Sequence, residues 1–162
     1  MDTLNGKEVY PAHTDTGRIT SEWTEFTLNI DPRNRGVMLR RKLDYSYPNQ
    51  QAEVYLHERI ASQNFDWLYL VGTWYTAGSN TCVYSNPREE LGAIQHIVQT
   101  SNRRFRDDEF LIPANRTRGL SQIRVRIRFT PHPRPLFPGH PIPPLAWSEI
   151  RYDAYSFVMP DR

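Results

Sequence analysis

The chain has 162 residues, enough for one domain that buries roughly two-thirds of the surface its unfolded form would expose, so neither disulfides nor a metal is needed to close a core. Lys and Arg number 20 against 18 Asp and Glu, with the signs interleaved, and 38% of residues are hydrophobic with no apolar run approaching membrane-spanning length; neither a nucleic acid nor a membrane is expected as a partner. Thirteen prolines, nine tyrosines and four tryptophans, with few long apolar helical runs, predict an all-β fold: a sandwich of antiparallel strands with at most one short helix. The single cysteine, Cys82, cannot form an intrachain disulfide and leaves the compartment open. Met1 opens no signal-peptide pattern, so a soluble chain is expected.

Residues 1–20 are polar and read as an extended lead-in. A first strand is expected over residues 25–30, with Phe26, Leu28 and Ile30 inward, followed by a turn made of Asp31, Pro32, Asn34 and Gly36. The next, residues 37–43, points Val37, Leu39 and Leu43 inward, and Arg41 breaks that apolar row. Strand geometry splits the basic run Arg40, Arg41, Lys42 between two faces, and a sheet-surface role is favoured for it over phosphate or acidic-sugar binding. Pro48 and Asn49 turn the chain into a third strand carrying Ala52, Val54 and Leu56. A loop at residues 61–65 leads to the most aromatic run, residues 67–75, read as strand from its Trp, Tyr and Val. Gly78, Ser79 and Asn80 turn the chain into Cys82, Val83 and Tyr84. Asn86, Pro87 and Glu89 resemble a helix start, and Leu91, Ile94 and Ile97 continue its period for one or two turns, weakened by Gly92.

Residues 101–130 carry the clearest pattern. Ile123, Val125, Ile127 and Phe129 alternate with Arg124, Arg126 and Arg128, as in a strand with one wet face. Phe110 and Ile112 end an earlier strand closed by Pro113, and Asn115 and Gly119 lie between, so an antiparallel hairpin is expected. The acids Asp107, Asp108 and Glu109 should then face the arginines across it. Residues 131–145 form a proline-rich arm, with seven prolines between positions 131 and 144; its Leu136, Phe137, Ile142 and Leu145 suit covering the parent sheet or an adjacent subunit. Residues 147–158 alternate Ile150, Tyr152, Ala154, Ser156 and Val158 as a closing strand. One domain spanning residues 1–162 is expected.

Asp107 and Glu109, two apart on a strand, share a face with Cα atoms on the order of 7 Å apart. Glycoside hydrolysis needs two carboxyls at roughly 5 to 9.5 Å, so the pair is admissible as acid and base or nucleophile, although ordinary sheet-surface ion pairing with the neighbouring arginines is the stronger reading. Asp44, Glu53, Glu58 and Glu149 are further carboxylates with less context. Trp67, Trp74, Tyr75 and Tyr84 could stack on sugar rings while Asn80, Asn86 and Arg88 bond hydroxyls; filling a core or a subunit interface is the favoured alternative. Cys82 has no flanking nucleophile signature, and His13, His57, His96, His132 and His140 lack metal-ligand spacing, so neither a metal nor a cofactor is expected. Asn115, Arg116 and Thr117 make a glycosylation sequon.

Four segments together carry a resemblance: GVMLRRKLDYSYPNQQAEVYL at residues 36–56, VGTWYTAGSN at 71–80, RFRDDEFLIPANRTRGLSQIRVRIRF at 104–129 and WSEIRYDAYSFV at 147–158. In that order the chain resembles a jelly-roll domain of glycoside hydrolase family 172, which includes α-D-fructofuranosidases and difructose dianhydride hydrolases. The resemblance implies a single jelly roll, a carbohydrate context and a homo-oligomer. It implies no catalysis, because the family's enzymes look to be built from two tandem jelly rolls with a Gly-Thr-Glu-Asp type motif, and this chain has neither. The expectation is a non-catalytic carbohydrate-associated or self-assembly module. Alternatives are a furanoside hydrolase working through Asp107 and Glu109, and a structural protein forming shells or tubes.

Overall fold

The structure, a computed structural model, describes residues 2–4, 7–10, 16–60, 65–79, 81–85, 95–99, 104–131 and 145–161. Among these described residues, thirteen strands and one short helix follow in chain order. They are β1 (Asp2–Leu4), β2 (Lys7–Tyr10), β3 (Arg18–Thr20), β4 (Trp23–Asn29), β5 (Val37–Asp44), β6 (Gln50–Ile60), β7 (Phe65–Thr76), β8 (Thr81–Ser85), β9 (Gln95–Gln99), β10 (Phe105–Ile112), α1 (Ala114–Thr117), β11 (Gln122–Phe129), β12 (Trp147–Glu149) and β13 (Arg151–Ser156). Every recorded pairing is antiparallel. The fold is an all-β sandwich.

Two sheets make the body, one ordered β4-β11-β6-β7 and the other β10-β5-β13. Period-2 alternation sends Val37 and Leu39 of β5, Val54 and Leu56 of β6, and Ile123, Val125 and Ile127 of β11 into one shared core, closed by Trp74 and Trp147. Each fully buried aliphatic there contributes about 1.5–3 kcal/mol relative to exposure. Phe26 and Leu28, expected inward, are partly buried against that core.

The hairpin expected within residues 101–130 does not form. β10 pairs with β5, and β11 lies in the opposite sheet between β4 and β6. Charge explains the choice of partner. The acids of β10 meet the basic run of β5, in the register Asp107↔Lys42, Asp108↔Arg41 and Glu109↔Arg40, while Arg126 and Arg128 of β11 meet Glu25 and Glu53. The connection between them carries the helix α1 and crosses from one sheet to the other, with Ile112 and Ile123 buried at its two ends.

Three other expectations change. Ile97 lies on β9, paired with Val83, where a helical turn was expected; β-branched Ile97 and Val98 suit that ladder. Within the lead-in, residues 18–20 form β3, which pairs with β12. The closing strand breaks at Ile150, whose N–H bonds Lys42 O at 2.9 Å; β12 before it joins β3 and β13 after it joins β5.

Turn chemistry follows the sequence closely. Gly36 has φ +122°, a conformation open to glycine and strained for other residues. Asn34 is fully buried, donating to Asp31 O at 2.6 Å and Thr117 O at 2.9 Å, and its Oδ1 accepts from the Gly36 N–H and from Thr117 Oγ1. The sequon hydroxyl of Thr117 is thus committed to the interior.

Candidate functional site

Asp107 and Glu109 share a face, as alternation requires, and it is the outer face of the three-stranded sheet. Both are exposed. They stand in two cross-strand rows, Asp107–Lys42–Arg151 and Glu109–Arg40–Asp153. Glu109 Oε1 accepts from Arg40 Nη2 at 2.8 Å and Nε at 3.2 Å, and the same guanidinium lies 4.8 Å from the Tyr155 ring. The arrangement is a charge ladder on an open sheet, and neither residue lines the clefts described below. Other carboxylates are also engaged: Glu58 with Arg116 at 2.8 Å, Glu53 with the Tyr55 hydroxyl at 2.6 Å and Asp44 with Arg104 Nε at 3.0 Å. Burial alone would lift Asp44, but hydrogen bonds from Arg104 and Ser46 outweigh it and hold the carboxyl below its ordinary range.

Between the sheets lies a polar centre. Arg41, in the inward row of β5, is completely buried. Its Nε and Nη2 form a fork on Asp108 at 3.0 and 2.7 Å, and Nη1 donates to Gln50 Oε1 and Ser148 O, each at 3.1 Å. The guanidinium lies 3.3 Å from the Trp147 ring centroid. Asp108 also accepts from the Thr76 hydroxyl. The surface role expected for the Arg40–Lys42 run therefore holds for Arg40 and fails for Arg41. A planar, always-charged fork can be buried when its donors are met and an aromatic covers its face.

Beside this centre opens a cleft of about 460 Å³, walled by Thr24, Phe26 and Leu28 from β4, Glu149 from β12, Tyr152 from β13 and Ile150 between them. Glu149 is buried, 5% exposed, and forms part of the wall. The Tyr152 hydroxyl donates to its Oε2 at 2.7 Å and accepts from Trp147 Nε1 at 2.9 Å. The Thr20 hydroxyl donates to its Oε1, and Arg18 Nε stands 3.5 Å away. Burial pushes the Glu149 carboxyl above its ordinary range, outweighing the stabilisation of its charge by Tyr152, Arg18 and Arg41. Burial, together with the charge of Glu149, drives the Tyr152 phenol well up. The buried Thr24 hydroxyl makes no hydrogen bond of good geometry among the described residues, although it lies near enough to Glu149 to favour its charged form.

Glu25 also borders the cleft, but its neighbours Thr24 and Phe26 point inward, so its carboxylate must point to the outer face. There it meets Arg126 Nε at 2.7 Å, His57 Nε2 at 3.2 Å and the Arg124 guanidinium. A second cleft of about 230 Å³ shares Gly17, Arg18 and Ile150 with the first and reaches Asp44 and Arg104. Gly17 is the close approach that shapes both. A Cβ there would stand 2.7 Å from Ile150 Cγ1 and 2.8 Å from the Glu149 carbonyl oxygen.

Of the aromatics expected to stack on sugar, Trp74 is 3% exposed. It packs between Phe110, Trp147 and Tyr152 and belongs to the core. Tyr75 on the opposite face of β7 is exposed and its hydroxyl donates to Asn49 Oδ1 at 3.1 Å. Tyr84 sits on β8 opposite His96. Asn80, Asn86, Arg88, the helix start at residue 86, His13, and residues 132–144 of the proline arm lie outside the described residues.

Sequence reasoning named Glu149 but missed Arg18, Thr20, Thr24 and Tyr152 around it. The available signal was a lone carboxylate set between Trp147 and Tyr152 in an otherwise aromatic segment. Among the described residues no group of three or more His, Cys, Asp or Glu could hold a metal ion, and no helix is long and apolar enough to cross a membrane. No protein-family model matches the sequence, and no curated protein or solved structure does so either.

Proposed function

We propose that this chain is a non-catalytic, carbohydrate-associated jelly-roll module, with the cleft around Glu149 as the seat for a neutral, hydroxyl-rich ligand. One observation carries the reading: of the two carboxylates at the cleft, Glu149 alone turns inward, and Glu25 is committed to Arg124, Arg126 and His57 on the outer face. A single carboxyl with the Arg18 guanidinium beside it offers an acceptor and donors to sugar hydroxyls. Phe26, Leu28 and Ile150 offer an apolar wall to the C–H face of a ring. Hydrolysis of a glycoside calls for two carboxyls flanking one bond. The four segments that resemble the family 172 jelly roll favour a furanose as the sugar.

A furanoside hydrolase is the second reading, favoured by the raised pKa of Glu149, since a carboxyl that holds its proton is what a general acid needs. Glycan-array binding and calorimetry with furanosides, run beside an assay for sugar release from aryl furanosides, separate the two. The expected result is binding without release, weakened about tenfold or more in Glu149→Gln and unchanged in the double variant Asp107→Asn with Glu109→Gln. Sugar release abolished by Glu149→Gln would replace the first reading with the second. Failure to retain any glycan or to release any sugar would remove both.

A further inference from the structure

We infer that a second copy of this chain docks along the outer edge of β7, antiparallel to it, so that the four-stranded sheet continues through both molecules. The cleft around Glu149 lies at the β4 edge of the same sheet, and the two ideas stand or fall separately.

Four strands form the edges of the two main sheets. Exposed edges invite pairing, and proteins blunt them with charge, proline or shortness. β10 carries Arg106, Asp107, Asp108 and Glu109, β13 carries Arg151 and Asp153, and β4 is seven residues long with Glu25 near its start. β7 has neither proline nor shortness and little charge. It is twelve residues long, contains no proline or lysine, and bears one charge, Asp66. Among the described residues it pairs on one side only, with β6.

The side chains along that edge are large and partly exposed. Trp67, Leu68, Tyr69, Leu70 and Tyr75 are each between 36 and 50% exposed. By alternation Trp67 and Tyr69 lie on one face of the ribbon and Leu68 and Leu70 on the other, with Arg116 stacked 3.4 Å from the Tyr69 ring centroid. An apolar surface that wraps an edge from both faces is not covered by a helix laid on either one. A strand added at the edge covers both, because its own side chains alternate in step.

A second copy of β7 fits this edge best. Pairing a strand with itself about a two-fold axis is antiparallel and self-complementary. In any register centred within residues 67–70 the two Asp66 positions are not directly opposite each other, so the one charged position of the strand does not face its own copy. The four side chains within that register, Trp67, Leu68, Tyr69 and Leu70, expose roughly 350 Å² per copy; both copies with their strand backbones come to the lower end of specific interfaces, below about 1,200 Å². The register with β6 slips once, between Val54 and Tyr55, which leaves the run from Phe65 to Leu70 regular and makes it the centre of the contact.

Sedimentation velocity on the full chain, up to about 100 µM, tests the docking. The wild type is expected to dimerise within that range, and the double variant Leu68→Lys with Leu70→Lys to stay monomeric, its association weakened about tenfold or more. Leu111→Lys, at an exposed leucine of the other sheet, should dimerise like the wild type. Amide exchange at residues 67–70 of the wild type should slow as concentration rises. A wild type that stays monomeric at the highest concentration, or a double-lysine variant that dimerises as well as the wild type, overturns the proposal. Furanoside binding by the same double variant, if retained, isolates an edge failure from a cleft failure.

Discussion

Arg41 sets the character of the interior at the level of single residues. Its removal would leave Asp108 without the fork that balances it and open space above Trp147. Arg41→Ala is expected to cost about 3–5 kcal/mol in urea unfolding, whereas Arg41→Met combined with Asp108→Leu should recover most of that, because apolar groups of similar volume can replace a buried pair. Period-2 parity had already placed Arg41 in the inward row. What parity could not supply was a partner: Asp108 lies 67 positions away, Ser148 lies 107 away, and the cation cover of Trp147 is as distant. Glu149 sits in a comparable setting with the opposite consequence. Its folded-state pKa is raised, so the folded chain binds the proton more tightly than the unfolded chain does. The stability that this brings is present below the unfolded value and is lost as pH rises through the folded one. Unfolding measured at acid and at neutral pH should show Glu149→Gln gaining on the wild type as pH rises. A constant difference between the two proteins would mean that the carboxyl does not titrate within that window.

At the scale of elements, the sequence spelled out strands better than it spelled out partners. Alternation at Ile123, Val125 and Ile127 and the turn at Asp31, Pro32, Asn34 and Gly36 are local signals, and each stands where expected. Pairing is not local. β10 and β11 are neighbours in sequence and both carry charge, yet each finds a better complement elsewhere, the acids of β10 on β5 and the arginines of β11 on β4 and β6. Only three-dimensional competition among all the rows decides that. The cleft depends on an equally unlocal contact, the passage of Gly17 against Ile150 and Glu149. Gly17→Ala places a methyl where a side-chain carbon and a backbone oxygen already lie closer than 3.0 Å, and the oxygen cannot swing aside. The expected loss is about 1–3 kcal/mol in thermal or urea unfolding. Wild-type stability in Gly17→Ala would mean that the segment before β3 moves freely.

For the whole molecule, one sheet has two unlike margins. The β4 margin borders a walled cleft with a buried acid, and the β7 margin is a long, almost uncharged ribbon. A ligand at the first and a twin at the second would leave each other untouched. The guanidinium of Arg41 adds a constraint on timing. Synthesis of β5 precedes that of residues 147 and 148, so the native cover of this cation is absent when β5 emerges and water solvates it instead. The native contacts of Arg41 include Trp147, and contacts of such long sequence separation form slowly. Burial of that cation is thereby tied to a segment 107 residues further along the chain.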